Sequence, residues 1–119
     1  MGIRYSSYLT TSIDTTTPVT TYTCRGCRTH LSSSEMILSK GYRGSTGLAY
    51  LMDRVINVKL ANKQYKDMLS GKYLVSDIKC HQCDHLVGWK YHTSMETSQK
   101  YKEGKYVLEL NTVDTIHDW

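Results

Sequence analysis

The chain has 119 residues, 15 Lys and Arg against 11 Asp and Glu, and a formal net charge of +4; ten Tyr and two Trp stand beside no Phe, and 39 % of residues are hydrophobic. Ordinary globular chains run at roughly 45–50 % apolar, so the composition allows one domain with a lean core of the kind that needs a staple. No run approaches the roughly 20 apolar residues of a membrane span, no apolar segment of signal-peptide type opens the chain, and four cysteines are too few for a disulfide-dense scaffold.

Residues 1–21 hold ten Ser or Thr and the only proline, Pro18. Such a stretch buries little and is expected to be a flexible tail. Met1-Gly2 with Ser6 fits the loose N-myristoylation pattern, but short patterns match often by chance, and the expectation is a plain solvated terminus. One acyl chain holds a membrane only marginally. From Tyr22 the texture becomes short strands, and residues 22–111 are expected to form the domain. Gly41, Gly44 and Gly47 punctuate a loop. Ala49 to Leu60 is the longest apolar segment, and Val55, Ile56 and Val58 favour strand over helix. Strands are expected near 64–69 and 73–79 around a Ser70-Gly71 turn, and again over 86–92. Residues 99–102 suggest a helical turn ended by Gly104. Over 105–110, Tyr106, Leu108 and Leu110 face one way and Glu109 the other. Residues 112–119 are polar and expected to be a loose C-terminal tail.

Cys24-Arg25-Gly26-Cys27 and Cys80-His81-Gln82-Cys83 are two Cys-x-x-Cys pairs with 52 residues between them. Each turn can hold two sulfurs about 2.3 Å from a shared metal, and two turns complete a tetrahedron around one structural Zn²⁺. Gly26 suits such a turn through its free backbone. Two disulfides would require an oxidising compartment, and a redox pair would want a single Cys-x-x-Cys beside a βαβ unit. His81 and His85 lie close by and are expected outside the ligand set. With all four cysteines on zinc, no thiol remains for nucleophilic catalysis and no coordination position stays open for activated water. Four thiolates and one Zn²⁺ would also reduce the net charge to about +2, with Arg25 and Arg28 offsetting the local negative charge.

These residues resemble the Yippee-like family over roughly Tyr22 to Leu110. The resemblance rests on the spacing of the two pairs and on Gly44-Ser45-Thr46-Gly47-Leu48-Ala49-Tyr50-Leu51, Val55-Ile56-Asn57-Val58, Gly88-Trp89-Lys90-Tyr91 and Ser98-Gln99-Lys100-Tyr101-Lys102-Glu103-Gly104-Lys105. The Ser/Thr-rich leader looks like the fungal branch. The resemblance implies a mainly β protein, a β-tent of two antiparallel sheets pinned by a Cys₄ zinc site. It implies a nuclear and cytoplasmic protein without established enzymatic activity. It also implies partners among the subunits of GID/CTLH-type ubiquitin ligases.

The ligand-binding domain of cereblon is similar in following a Cys-x-x-Cys turn with Gly-Trp-Lys-Phe, whose Trp walls an aromatic cage. Trp89, Lys90 and Tyr91 stand in that register, but no second or third Trp precedes Cys80, so the cage is incomplete unless Tyr50, Tyr65 or Tyr73 contributes. Trp89 either packs into the core beside the metal turn or lines a pocket for a peptide end or small ligand, where flat rings could hold a cation or a cyclic imide. Lys100, Lys102 and Lys105 with Tyr101 and Tyr106 could form a stacking-plus-phosphate surface for nucleic acid. Glu96, Glu103 and Glu109 interleave with them, so a protein-docking face is the stronger expectation. A methionine sulfoxide reductase reading fails because that reaction needs a cysteine beyond the zinc ligands. The sequence therefore reads as a non-enzymatic, zinc-stabilised protein-interaction module.

Overall fold

Alternating branched and aromatic residues make ten strands among the residues that the structure, a computed structural model, describes: 18–118. Of the flexible tail expected over residues 1–21, residues 1–17 lie outside the described residues, as does the lipid considered at Gly2. The strands are β1 (Val19–Cys24), β2 (His30–Ser33), β3 (Ile37–Gly44), β4 (Gly47–Met52), β5 (Val58–Leu60), β6 (Gln64–Met68), β7 (Gly71–Cys80), β8 (Leu86–Ser94), β9 (Tyr106–Glu109) and β10 (Val113–Asp118). A small sheet has the order β10-β1-β2. A large one has the order β3-β4-β9-β8-β7-β5, with β6 also paired to β7. Every pairing is antiparallel. Three short 3-10 turns, Ser34–Met36, Thr97–Lys102 and Leu110–Thr112, complete the fold, and no helix among the described residues is long and apolar enough to cross a membrane.

The large sheet is covered on both faces. One core cluster draws Tyr22, Cys24, Leu31 and Val113 from the small sheet and Met52, Ile78, Cys80, Val87 and Leu108 from the large one. It is the seam between the sheets. A second cluster, Ala49, Leu51, Tyr73, Val75, Tyr91 and Val107, lies on the other face, with Tyr42, Met68 and Trp89 packed against it. The alternation along β9 is therefore real, but it does not separate core from water. Leu108 points to the seam, Val107 to the second cluster, and Glu109 is itself buried.

Four expectations change. The segment read as a loose tail over residues 112–119 is largely β10. It pairs with β1 in unbroken register from Val19↔Asp118 to Cys24↔Val113. Its side chains beyond Val113 are mostly exposed, so main-chain hydrogen bonds hold it, and hydropathy carries no trace of these. By the same pairing the first strand begins at Val19, ahead of the expected Tyr22. The long apolar segment from Ala49 to Leu60 is not one strand. It breaks after Met52 and resumes as β5 at the opposite end of the sheet path. Val55 between them plugs the seam while the Asp53 and Ile56 amides bond the Met36 and Leu31 carbonyls. The glycines expected in a loop instead belong mostly to strands: Gly41 and Gly44 lie in β3 and Gly47 opens β4.

Gly88 is required by close approach. A Cβ there would sit 1.8 Å from the Val107 carbonyl oxygen of β9. The pairing of β7 with β8 also shifts register beside it, between Ile78 and Lys79. That irregularity lets Val87 enter the seam while Trp89, two residues on, reaches the other face. We therefore expect Gly88→Ala to cost about 3 kcal/mol or more in a urea or thermal melt. Gly41→Ala, where a Cβ meets nothing within 4 Å, should stay within about 0.5 kcal/mol.

Candidate metal centre and aromatic cavity

The two Cys-x-x-Cys turns have the same backbone plan. Cys24 N–H donates to the Thr29 carbonyl and Arg28 N–H to the Cys24 carbonyl, both at 2.8 Å. In the second turn Cys80 N–H donates to His85 at 2.8 Å and Asp84 N–H to Cys80 at 2.9 Å. The left-handed residue each turn needs is the one after its second cysteine, Arg28 (φ 68°) and Asp84 (φ 66°), and not Gly26. Gly26 matters for room instead: a Cβ would lie 3.2 Å from the Cys83 sulfur. Cys24 ends β1 of the small sheet and Cys80 ends β7 of the large one, so the turns bring one end of each sheet together.

The four sulfurs lie within 4.8 Å of one another, with Cys24–Cys83 and Cys27–Cys80 at 3.5 Å. A tetrahedron with metal–sulfur bonds near 2.3 Å would place sulfurs about 3.8 Å apart, so the set fits one ion closed on all sides. None of the four forms a disulfide, and neither His81 nor His85 belongs to the cluster. The Thr29 hydroxyl, 3.1 Å from the Cys27 sulfur, and the Thr29 backbone N–H favour the thiolate and bring Cys27 down to about 6. At Cys83 the His85 backbone N–H also favours the thiolate, but burial and the three neighbouring sulfurs outweigh it and push that thiol up to about 12. Four thiolates this close repel one another, and a divalent cation removes the conflict. Arg25 and Arg28 both reach Asp114 of β10, at 3.4 and 3.8 Å. They tie the first turn to the edge strand rather than acting only as counter-charges to sulfur.

On the far face of the large sheet, the edge strands β3 and β6 and the 3-10 turn Thr97–Lys102 bound an open cavity of about 740 Å³. Trp89 and Tyr91 of β8 line it, so the Trp89 ring meets a cavity rather than the metal turn. Of the three tyrosines considered as cage walls, only Tyr73 joins Tyr91, with ring centroids 4.8 Å apart. Tyr50 is on the opposite face, edge-on to Tyr22 in the seam at 6.3 Å. Tyr65 is 60 % exposed beside Lys72. Lys90 is displaced too: strand alternation sends it away from Trp89, and its Nζ stands 5.3 Å from the Tyr106 ring.

The basic stripe around residues 100–105 dissolves into separate contacts. Lys100 donates to the Ser94 carbonyl at 3.0 Å and to Glu103 at 3.2 Å. The Ser94 N–H, with Lys100 behind it, holds the Glu103 carboxyl below its usual range. Lys105 pairs with Asp53 at 2.7 Å. Tyr101 is exposed at the cavity rim. Lys102, read as a surface residue, is only 5 % exposed. Its Nζ donates to Ser70 Oγ at 3.1 Å and Tyr73 Oη at 3.0 Å. It stands 5.1–5.8 Å from the rings of Tyr42, Tyr73, Tyr91 and Tyr101. Sequence reasoning missed Tyr42, which shares this cage. Its signal, an aromatic at alternate spacing with Lys40 and Gly44, was masked by the glycines around it.

A family model described as Yippee zinc-binding/DNA-binding/Mis18, centromere assembly, matches residues 20–119. The chain belongs to the Yippee-Mis18 family. It is 43 % identical over 98 residues to human protein yippee-like 3, covering 82 % of each chain. It is 42 % identical over 99 residues to human protein yippee-like 4, covering 83 % of this chain and 78 % of that one. The crystal structure of a Mis18 'Yippee-like' domain superposes with a TM-score of 0.64 at 13 % identity, covering 82 % of this chain and 95 % of that one. That likeness shows the fold: a Yippee-like arrangement of two antiparallel sheets with four cysteines gathered at one point.

The two neighbouring lysines should respond differently to charge reversal. Lys100→Glu, at an exposed ion pair, should cost no more than about 1 kcal/mol. Lys102→Glu, which buries a carboxylate among tyrosines, should cost about 3 kcal/mol or more. Paired denaturant melts measure both.

Proposed function

We propose that this Yippee-family chain is a non-enzymatic protein-interaction module held together by one structural Zn²⁺ on Cys24, Cys27, Cys80 and Cys83. Its role is that of an accessory or regulatory subunit of a GID/CTLH-type ubiquitin ligase, acting in nucleus and cytoplasm. The observation that carries the first half is the convergence of all four thiols of the chain on one closed cluster at the ends of β1 and β7. That use of the cysteines leaves no thiol nucleophile, and four protein ligands leave zinc no open position for water. What the fold then offers is surface. Tyr101 and Lys100 lie on an exposed 3-10 turn fixed by Ser94 and Glu103, a rigid patch suited to docking. Membership of the Yippee family supports the ligase half.

A nucleic-acid reading has one support, the DNA-binding wording of the family description. Against it, Lys100 and Lys105 are ion-paired and Lys102 is buried, which leaves no phosphate-tracking stripe in that segment. Affinity for duplex DNA that falls by orders of magnitude between low and moderate salt would favour it over the protein-binding reading.

Metal analysis of the reduced protein should return one zinc per chain. Chelation at neutral pH should unfold the domain cooperatively. Acidification should act in the same direction, because protons compete for the thiolates. A cooperative melt retained by fully zinc-free protein would contradict the structural role. Affinity purification of the native protein with mass spectrometry should return ligase subunits. Lys100→Glu combined with Tyr101→Ala should remove them in a chain that still melts cooperatively, destabilised by no more than about 1–2 kcal/mol. Recovery of no ligase subunit would overturn the ligase assignment.

A further inference from the structure

Lys102 poses an electrostatic problem that the fold does not solve internally. Its side chain is 5 % exposed, yet among the described residues no carboxylate lies within ion-pair distance of it. An ammonium has three donors. Two are spent on the neutral hydroxyls of Ser70 and Tyr73. Four tyrosine rings surround the charge at cation–π distance, which softens its burial without neutralising it. Burial raises Tyr91 to about 12 and raises Tyr42 further, so these phenols stay neutral and supply no negative charge. A buried cation ordinarily has a counter-ion.

The missing counter-ion has a place to sit. Lys102 lines the cavity of about 740 Å³ together with Arg43 and Lys66, and among the described residues no acidic residue lines it. The one buried carboxylate among the described residues, Glu109, packs against Gly44. Its Oε1 accepts from the Thr46 N–H at 2.9 Å and the Thr46 hydroxyl at 2.5 Å. Trp89, another lining residue, has its indole Nε1–H buried without a hydrogen-bond acceptor. The cavity thus has a buried cation in its lining beside flat aromatic walls, in the volume range of small-molecule sites. An aromatic cage open to an external cation is excluded, because the protein's own Lys102 fills it.

We propose that this cavity is a receptor for a small organic oxyanion, a carboxylate or phosphate on a flat apolar body, with Lys102 as its counter-ion. Arg43 and Lys66 at the exposed rim steer the anion inward. The Tyr42, Trp89 and Tyr101 rings take the flat body. The anion site is tested apart from the ligase role: Lys102→Met and Arg43→Gln leave the Lys100 and Tyr101 patch in place, so loss of anion binding in them would leave the purification result untouched.

The test uses the full zinc-loaded chain, with Trp119→Phe assigning the Trp89 indole N–H in ¹H–¹⁵N spectra. Benzoate and phenyl phosphate should shift that signal saturably. Benzamide and phenyltrimethylammonium, of similar shape but neutral and positive, should bind at least tenfold more weakly. Whichever anion saturates at lower concentration names the head group. Lys102→Met, close in volume, should weaken the anion at least tenfold, and the exposed-site variant Arg43→Gln should weaken it several-fold in a chain that melts as the parent does. Equal or tighter binding of the cation, or anion binding indifferent to both variants, would overturn the proposal.

Discussion

The fold depends on bringing the end of β1 to the end of β7. These strands belong to different sheets, and the cysteine pairs they carry are 52 residues apart in sequence. Closing a loop of that length costs about 3.5 kcal/mol plus a constant. Binding of one zinc to the four-cysteine cluster, as proposed, would release about 10–16 kcal/mol, more than closure costs. The matching hydrogen bonds of the two turns present the sulfurs in equivalent fashion from opposite sheets. The edge strand β10 reinforces the same corner: its pairing with β1 ends at Cys24↔Val113, and its Asp114 meets both arginines of the first turn.

With the corner fixed, the large sheet has to cover two faces with little apolar material. One face meets the small sheet. The other has no partner sheet among the described residues and is covered by its own edge strands and by tyrosines and tryptophan. This gives a physical sense to a composition of ten Tyr and no Phe. On a face that closes incompletely, a ring with a hydroxyl can bury its body and still bond at its tip, as Tyr73 does with Lys102 and Ser70. The cavity is the part of that face left uncovered.

Much of this was legible in the chain because it is local. Period-two alternation and turn residues located β6, β7, β8 and β9 within a few residues, and the spacing of the cysteines announced a four-sulfur site. Gly88-Trp89 marked the cavity wall, although the reason for the glycine, contact with the Val107 carbonyl, needs the neighbouring strand to be seen. Less legible were elements whose fate is set by a distant partner. The strand at Val113–Asp118 is polar because its partner is the β1 backbone. Ala49 to Leu60 divides because its middle fills the seam.

Sequence by itself determined the strand content, the family and the set of sulfurs, since each is written in spacing along one chain. Only tertiary structure decided what the lysines and tyrosines do. Lys100, Lys102 and Lys105 read alike as a surface stripe, yet one is exposed and paired, one is buried in a tyrosine cage, and one reaches across to Asp53. Tyr50 and Tyr73, equal candidates in sequence, end on opposite faces of one sheet. The reason is that the burial of a charge or a ring depends on what the other strands bring against it, and those strands are tens of residues away.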